Sequence, residues 1–291
     1  MRKILICGGT ATMFLGLVGA VYAGGPGTTA ANFLKIGVGA RTAAMGEAFT
    51  AVADDSTSLY WNPAGLARLE KGELSAMYNM WFEGIGQGYV SLGFPLLGGT
   101  IGMGANYLTM GDLEGRDEVG NPTGTFQASD IHLCAGFAGR LGRLLLGLSG
   151  GMVRSSIADD TQSAFLGTLG GLVEISEGFS VGVAAQNLGT KLGEDSLPLI
   201  LKAGLALKLG FLNLAADIGK PSDGDLYYCA GVERWIGEVL ALRAGYKTNQ
   251  DIGPGYTAGL GLKMGRFGLD YAYVPYGDLG ITHRISVGVG F

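Results

Sequence analysis

ITHRISVGVGF, residues 281–291, alternates bulky side chains with small or polar ones along its whole length. Ile281 and Val287 belong to the bulky set, and Arg284 belongs to the polar set. Successive side chains of a β-strand point to opposite faces, so a period of two predicts a strand with an apolar and a polar face. The same alternation runs through residues 199–208, 212–218 and 267–273. We therefore expect an all-β fold.

Segments with this alternation continue from about residue 72 to the end of the sequence, and fourteen of them can be distinguished. They are centred near residues 78, 91, 104, 133, 149, 168, 184, 203, 214, 230, 243, 260, 270 and 286. Each strand with its connection takes about 16 residues, whereas a strand that crosses a membrane needs about 9–11. Fourteen antiparallel strands of this length predict a transmembrane β-barrel.

The connections between these strands alternate in length. Leu209-Gly210 and Gly265-Arg266 are tight turns, whereas residues 111–117 and 248–255 are longer and more polar. Outer-membrane barrels have short periplasmic turns at one end and longer extracellular loops at the other. The pattern therefore predicts a barrel whose first and last strands meet on the periplasmic side.

Composition separates the two folds that share this strand pattern, a water-soluble β-sandwich and a membrane barrel. Only 15% of the 291 residues are charged, against roughly 25% in an ordinary soluble domain. Hydrophobic residues make up 47%, which excludes a disordered chain, and the 54 glycines lack the three-residue period of collagen. The net charge of −5 argues against a nucleic-acid partner. The low charge favours the barrel, surrounded by outer-membrane lipid.

The first 23 residues have the features of a secretory signal peptide. Arg2 and Lys3 form a basic start, an apolar stretch follows, and Val21-Tyr22-Ala23 puts small or short residues where a signal peptidase reads. The alternative is an N-terminal transmembrane anchor, which the short, glycine-broken apolar stretch disfavours. Export together with a barrel pattern predicts the outer membrane of a Gram-negative (diderm) bacterium.

Residues 24–71 lack the strand alternation and precede the barrel of residues 72–291. Alanine and glycine are frequent in residues 31–53, which predicts short helical turns. Pro63 follows Asn62, the arrangement of a proline in the first turn of a helix after an asparagine cap. Such a segment is either an external domain or a plug inside the barrel, and its small side chains favour the plug.

The polar face of the strands carries charges of both signs, which we expect to line the barrel lumen. The candidate network consists of Lys202, Asp217, Glu233, Arg243, Asp270 and Arg284. Two interpretations remain open at this point. The charges form ion pairs that hold the plug to the wall, or they form a polar relay that gates the plug.

The sequence shows no recognisable catalytic or metal site. His132 and His283 lie in different strands without a second His or Cys at metal-ligand spacing, and no nucleophile–base pair is evident. Cys134 and Cys229 lie in apolar segments and are expected to remain unpaired. We therefore expect that the protein is not an enzyme and that it has neither a metal site nor a cofactor.

Phe291 ends the last predicted strand on the same face as Val287 and Val289. A terminal aromatic residue on the last strand suits recognition by the barrel-assembly machinery, and we predict that Phe291 is this assembly signal. The alternative is an ordinary last strand that happens to end in phenylalanine.

Residues 39–55, GARTAAMGEAFTAVADD, lead to YWNPAGLA at residues 60–67. Together they resemble the N-terminal hatch of the FadL superfamily of outer-membrane proteins, and Asn62-Pro63-Ala64, followed by Gly65, matches its NPA signature. The end of the chain, residues 270–273 and 277–286, more narrowly resembles the PorV/PorQ branch. The resemblance implies a barrel of fourteen strands with a hatch in its lumen.

What this resemblance implies for function divides in two. PorV-like members serve the type IX secretion system, which makes a secretion translocon or secreted cargo the expected partner. FadL-like members let hydrophobic small molecules cross the outer membrane through a passage that hatch movement opens. A PorV/PorQ-type component of protein secretion and surface attachment is the leading hypothesis, and the passive uptake channel is its alternative. A purely structural barrel is the third.

Overall fold

The computed structural model describes residues 25–96, 98–249 and 252–291. The predicted signal peptide, residues 1–23, lies outside the described residues. The strands are β1 (Glu73–Met80), β2 (Gly86–Leu96), β3 (Gly99–Arg116), β4 (Pro122–Leu141), β5 (Leu144–Ile157), β6 (Asp160–Ser176), β7 (Phe179–Gly189), β8 (Lys191–Leu192), β9 (Asp195–Ser196), β10 (Ile200–Leu209), β11 (Leu212–Pro221), β12 (Tyr227–Ile236), β13 (Leu240–Lys247), β14 (Tyr256–Met264), β15 (Phe267–Pro275) and β16 (Ile281–Gly290).

Fourteen of these described strands close into one antiparallel barrel. Neighbours in sequence pair with one another, β7 pairs with β10 across the short hairpin β8–β9, and β1 closes the barrel against β16. The closing register places Glu73 opposite Gly290 and Met80 opposite His283. The predicted barrel of about fourteen strands is confirmed. Closure pairs the edge strands, so the wall can lie in lipid without an open row of backbone amides.

The two ends of the barrel differ in the length of their connections. Two residues separate β4 from β5 and β10 from β11, whereas ten separate β7 from β10 at the opposite end. We call these the short-turn end and the loop end. The loops at the loop end include 3-10 turns at Phe82–Gly84 and Gly277–Leu279. In outer-membrane barrels the short turns face the periplasm.

The outward face of the barrel is apolar, with aromatic residues near both rims. The exposed tyrosines towards the loop end include Tyr78, Tyr107, Tyr228, Tyr246 and Tyr256. The exposed phenylalanines towards the short-turn end include Phe94, Phe137, Phe211, Phe267 and Phe291. Aromatic girdles of this kind lie at the two interfaces between a membrane and water. Within the described residues, no helix is long and apolar enough to cross a membrane.

Residues 25–72, here called the N-terminal segment, lie inside the barrel. Its regular elements are short: 3-10 turns at Asn32–Lys35 and Pro63–Arg68 and α-helical turns at Ala40–Ala44 and Ser58–Trp61. Thr29 forms a β-bridge with Ser196 at the loop end, whereas the Gly72 carbonyl accepts a hydrogen bond from the last residue at the short-turn end. The segment therefore runs through the lumen from the loop end to the start of β1.

Glycines on the inward face of the wall make room for the N-terminal segment. A Cβ atom at Gly147 would overlap the backbone of Pro63, and one at Gly245 would overlap the backbone of Met45. The wall glycines that meet the segment in this way are Gly93, Gly102, Gly104, Gly136, Gly147, Gly170, Gly182, Gly204, Gly231, Gly245 and Gly259. Their missing side chains let wall and segment approach more closely than other residue types allow.

Candidate functional site

The NPA motif forms the centre of the N-terminal segment. Pro63 is the first residue of its 3-10 turn, and the Asn62 side chain caps this turn by accepting from the Ala64 N–H at 3.2 Å. The Asn62 Nδ2 group donates to the Thr50 carbonyl at 2.8 Å and to the Gly171 carbonyl of β6 at 3.3 Å. One buried amide therefore joins the turn, another part of the segment and the wall. Aspartate or serine would cap the turn but supply no such pair of donors.

Arg41 of the N-terminal segment meets a carboxylate of the wall. Its Nε and Nη2 atoms donate to Glu233 of β12 at 2.9 and 3.0 Å. Arg243 donates to Glu233 at 2.7 Å and to Asp270 at 2.5 Å, and Asn213 donates to Glu233 at 2.6 Å. The Glu233 side chain is fully buried. A buried carboxylate needs such partners to offset its lost hydration, so this cluster ties the segment to the wall.

Asp217 of β11 forms a second tie between wall and segment. Its Oδ2 atom accepts from the backbone N–H groups of Phe49 at 3.0 Å and Thr50 at 2.8 Å, and from the Thr50 hydroxyl at 2.6 Å. Lys202 Nζ lies 3.7 Å from the same oxygen and 4.6 Å from the centre of the Trp61 ring. The Lys202 and Asp217 side chains are both fully buried, so their charges are compensated by each other and by the segment.

Arg284 lies apart from both clusters and donates to the Gly37 carbonyl of the segment at 2.8 Å. The structure thus divides the six residues of the predicted luminal network into Glu233, Arg243 and Asp270 in one cluster, Lys202 and Asp217 in a second, and Arg284 alone. Each of the three groups contains a residue that contacts the N-terminal segment. The six residues therefore form three separate attachment points for the segment and not one continuous network.

Strand alternation did not reveal the charges that the N-terminal segment itself supplies. Besides Arg41, these include Glu47, whose Oε2 atom accepts from Lys247 Nζ at 2.5 Å. Burial disfavours the ionised form of Glu47, but Lys247 and Arg284 hold the pKa of its carboxyl below the usual range. The alternation predicts which face of a strand a residue lies on, and it gives no information on a segment without strands. The only sequence feature that marked Arg41 and Glu47 was their position as two isolated charges in a stretch of small residues.

An apolar chamber lies at the loop end of the lumen, and the N-terminal segment fills it. The wall residues of this loop-end chamber are Leu108, Val153, Ala164, Leu166, Leu192 and Leu197. Phe33 and Leu34 pack among them and are 4% and 1% exposed. Burying each of these side chains is worth about 1.5–3 kcal/mol. Phe33 and Leu34 therefore pack tightly with the barrel in an apolar cluster at the loop end.

Polar contacts at the rim of the loop-end chamber fasten this part of the segment. Asp223 accepts from Thr29 Oγ1 at 2.6 Å and pairs with Lys35. Burial disfavours the ionised form of Asp223, but Lys35 and Thr29 hold the pKa of its carboxyl below the usual range. Deeper in the lumen, Tyr60 Oη donates to the Leu34 carbonyl at 2.7 Å. Of these groups Lys35 is partly exposed, whereas Thr29 and Asp223 are buried.

A cavity of about 480 Å³ opens between the N-terminal segment and the wall at the short-turn end. Ala51 and Val52 line one side, and residues of β6, β7, β10 and β11 line the other. Arg68 Nη1 donates to the carbonyls of Ala51 at 2.9 Å and Val52 at 2.8 Å, and its Nε donates to Glu174 at 3.3 Å. Glu174 also accepts from Arg140 at 2.6 Å. Arg68 thus holds the segment to the wall beside an open space.

Asp55 lies beside Arg41 and titrates near neutral pH. Its Oδ1 atom accepts from the Thr57 N–H at 2.9 Å, and its Oδ2 atom lies 3.3 Å from Arg41 Nη1. Burial and the neighbouring Glu73 carboxylate raise the pKa of Asp55 to about 7, against the opposing effect of Arg41. The charge next to the Arg41 fastening therefore changes within the physiological pH range.

One protein family, described as "Uncharacterised protein family (UPF0164)", matches residues 21–108 of the chain. No curated protein matches the sequence. Among solved structures, the CymD monoaromatic hydrocarbon channel aligns with a TM-score of 0.69 at 14% identity, covering 88% of this chain and 98% of its own. The Pseudomonas putida toluene transporter TodX aligns with a TM-score of 0.62 at 16% identity, covering 93% and 98%.

At these identities the likeness to CymD and TodX is one of fold. It agrees with the barrel architecture expected from the FadL resemblance and supports a location in an outer membrane. The PorV/PorQ branch and the diderm host stay predictions. The family match covers the N-terminal segment, β1, β2 and part of β3. The residues that match the family therefore include the N-terminal segment, which fills the lumen.

Proposed function

We propose that the protein is a passive outer-membrane channel for hydrophobic small molecules and that the N-terminal segment is its hatch. The observation that carries this proposal is the loop-end chamber, an apolar space inside the barrel that Phe33 and Leu34 occupy. The names of two similarly folded proteins, a monoaromatic hydrocarbon channel and a toluene transporter, support the same function. They support the channel, our alternative from sequence, better than the secretion hypothesis.

In this proposal a hydrophobic molecule enters from the loop end by replacing Phe33 and Leu34. The exchange is close to balanced, because the guest buries about as much apolar surface as the two side chains give up. The polar contacts that break first are those of Asp223 with Thr29 and Lys35 at the chamber rim. Lys35 is partly exposed, so water compensates for much of its lost ion pair.

The proposed exit is the cavity at the short-turn end. To reach it, the guest passes the fastenings of Arg41 on Glu233 and of Thr50 on Asp217. These contacts are hydrogen bonds and ion pairs, and the adjoining wall is lined by glycines. Displacement of the segment also has to free the buried side chains of Phe49, Leu59 and Trp61, which pack against the wall. Displacement of the segment, rather than unfolding of the barrel, opens the passage.

Two engineered disulfides test whether displacement of the segment opens the channel. Ser56 in the segment and Ser91 in β2 have Oγ atoms 2.9 Å apart, so Ser56→Cys with Ser91→Cys locks the middle of the segment. Thr29→Cys with Asp223→Cys locks the part in the loop-end chamber, where the two side chains are hydrogen-bonded at 2.6 Å. Each of the four single-cysteine variants is a matched control.

Both pairs are built in a Cys134→Ala, Cys229→Ala background, because these two described cysteines are free thiols. Uptake of labelled 4-phenylbutanol, an uncharged hydrophobic molecule, by cells that carry the full chain is measured under oxidising conditions and again after reduction. We expect each lock to reduce uptake to the level of empty-vector cells and reduction to restore it. Equal uptake in both states would overturn the hatch role. Uptake by the unlocked protein at the empty-vector level would overturn the channel.

The secretion hypothesis predicts a different result. A PorV/PorQ-type component would hold a translocon or secreted cargo in fixed ratio. Mass spectrometry of the protein, extracted gently from its own outer membrane, separates the two roles. Co-purified hydrophobic molecules without a stoichiometric protein support the channel, whereas a protein in fixed ratio supports secretion. Neither role needs catalysis, and we propose no enzymatic activity.

A further inference from the structure

We propose that the channel accepts uncharged molecules that carry one hydrogen-bonding group, such as an alcohol, phenol, ketone or ester, on an apolar body. This inference rests on the channel function proposed above. It comes from three buried amides, Asn79, Gln87 and Asn106, which border the loop-end chamber and are here called the amide row.

The amide row crosses β1, β2 and β3 on the inward face of the barrel. Asn79 Nδ2 donates to Gln87 Oε1 at 3.1 Å, and Gln87 Nε2 donates to Asn106 Oδ1 at 3.1 Å. All three residues are fully buried. Within the described part of the chain, Asn79 Oδ1 and Asn106 Nδ2 have no hydrogen-bond partner. A buried polar atom without a partner is costly, so a guest that supplies one is favoured.

A contact with the N-terminal segment fixes which atoms of the amide row donate hydrogen bonds and which accept them. The Ile36 carbonyl lies 3.4 Å from Gln87 Nε2, so the NH₂ group of Gln87 must face it. Asn106 then has to accept and Asn79 has to donate, which leaves one donor and one acceptor at the two ends of the row. When the segment moves, this constraint disappears and the amides can reorient. The row can then offer either a donor or an acceptor to a guest.

The strand registers place the amide row next to the chamber. Leu108, a wall residue of the chamber, lies directly opposite Gln87, and Asn106 is two residues away on the same face of β3. Val153, another wall residue, lies opposite His132, which in turn lies opposite Asn106. A guest in the chamber therefore meets apolar side chains along its body and an amide at one end. Pockets with this division fix the orientation of their ligands.

Charge at the chamber disfavours an anionic guest. The six wall residues are apolar, and Lys35 at the rim is already paired with Asp223. Asp130, a carboxyl group, lies opposite Leu108, and the imidazole of His132 lies opposite Val153. An anionic guest would lose its hydration among these apolar side chains, and it could pair with Lys35 only by leaving the buried Asp223 carboxylate without that partner. A pure hydrocarbon would leave both ends of the amide row unpartnered, which is how a polar site selects against an apolar analogue.

The test compares butylbenzene, 4-phenylbutanol and 4-phenylbutanoate, which share an apolar body and differ in the terminal group. Their initial uptake is measured in cells that carry the full chain, with empty-vector cells subtracted. Asn106→Leu keeps the number and branching of the side-chain heavy atoms, and it removes the free donor together with the acceptor of the Gln87 bond. We expect it to reduce uptake of the alcohol about fivefold, as the loss of one ordinary hydrogen bond allows, and not to reduce uptake of butylbenzene. The anion should stay at the empty-vector level.

Two further variants complete the test. Asn79→Leu removes the acceptor at the other end of the row and should have the same selective effect. Thr100→Val is the matched control, because Thr100 is a buried polar residue on the inward face of β3 near the short-turn end. It should change the uptake of neither the alcohol nor the hydrocarbon. A heat-dependent shift in electrophoretic mobility checks that each variant barrel is folded.

The outcomes separate this inference from the channel function. If no probe exceeds the empty-vector level, the channel itself is overturned. If the alcohol and the hydrocarbon enter but both amide variants take them up as the wild type does, the role of the amide row is overturned and the channel stands. Uptake of 4-phenylbutanoate equal to that of the alcohol overturns the preference for uncharged guests.

Discussion

Arg41 and Glu233 are 192 residues apart in the sequence and form a bidentate ion pair across the lumen, with N···O distances of 2.9 and 3.0 Å. Arg41 belongs to the N-terminal segment and Glu233 to β12, so the pair joins the contents of the barrel to its wall. A planar guanidinium facing a carboxylate fixes orientation as well as distance. Together with the contacts of Asp217 and Arg284, this ion pair fixes how the segment is placed around the barrel axis.

Arg41→Gln should loosen the segment while the barrel stays folded. Arg243 still compensates Glu233, so we expect a loss of about 2 kcal/mol, below the ~3–5 kcal/mol of a fully orphaned buried charge. Hydrogen exchange of residues 40–55 should become faster, and exchange of the strands should not change. Arg116→Gln breaks an exposed ion pair at the loop end and serves as control. Exchange in Arg41→Gln as slow as in the control would show that the pair holds nothing in place.

Gly245→Ala should keep the segment from seating against β13. The new Cβ atom overlaps the backbone of Met45, so wall and segment have to shift, at a cost of about 1–3 kcal/mol. Gly268→Ala is the matched control, because nothing lies within 4 Å of its added Cβ. Limited proteolysis of the folded barrel should cleave the segment in the first variant and spare it in the second. Equal resistance would contradict the close approach at Gly245.

Asn62→Asp should destabilise the segment although aspartate is a good helix cap. The carboxylate keeps the bond from the Ala64 N–H, but it places an acceptor against the Thr50 and Gly171 carbonyls in place of two donors. We expect a loss of about 2–3 kcal/mol in the docking of residues 58–68, measured by hydrogen exchange. Asn32→Asp changes an exposed amide and should have little effect. Unchanged hydrogen exchange of residues 58–68 in Asn62→Asp would show that Asn62 acts only as a cap of the turn.

The segment should be held less firmly as the pH rises from about 4 to 7. The pKa of Asp55 is about 7 in the folded state, against about 3.9 in an unfolded chain. The folded state therefore binds more protons in this window, so stability falls as the pH rises through it and levels off above pH 7. Asp55→Asn removes this group. Exchange of residues 40–55, corrected for its intrinsic pH dependence, should then no longer differ between pH 5 and 7.5; a persisting difference would assign it to another group.

Phe291→Ala tests the predicted assembly signal. Phe291 stacks on Phe94 with ring centres 6.4 Å apart, so it also has a packing role at the short-turn rim. Phe267→Ala is the matched control, because Phe267 is 53% exposed on the same rim and Phe291 is 55% exposed. An assembly signal predicts less folded Phe291→Ala barrel in the outer membrane, with equal thermal stability of the two purified variants. Equal amounts of the two folded variants in the outer membrane would show that Phe291 is an ordinary residue of the rim and not an assembly signal.

Local alternation was sufficient to predict the wall. In residues 281–291 a period of two defines both the strand and the inward face of Arg284, because the pleat of a β-strand sets the two together. The count of fourteen strands follows from the same local pattern and is confirmed. The alternation of short and long connections holds with one exception, the two-residue turn between β5 and β6 at the loop end. Residues 111–116, predicted as part of a loop, belong to β3, because the strand pairing with β4 extends beyond the apolar pattern. The cap that Asn62 forms on the turn beginning at Pro63 was also predictable from the sequence, because it depends on adjacent residues only.

The partners of the luminal residues were beyond the reach of that pattern. Glu233 and Asp217 were both predicted to face the lumen, but the first binds Arg41 and the second binds Thr50. The sequence shows Phe33 only as one apolar residue of a helical turn. Its role in the proposed channel follows from its position in the loop-end chamber, which only the structure shows. The period of a strand is a local property of the backbone. A contact across the lumen depends on the registers of all fourteen strands and on the path of a segment that has no period.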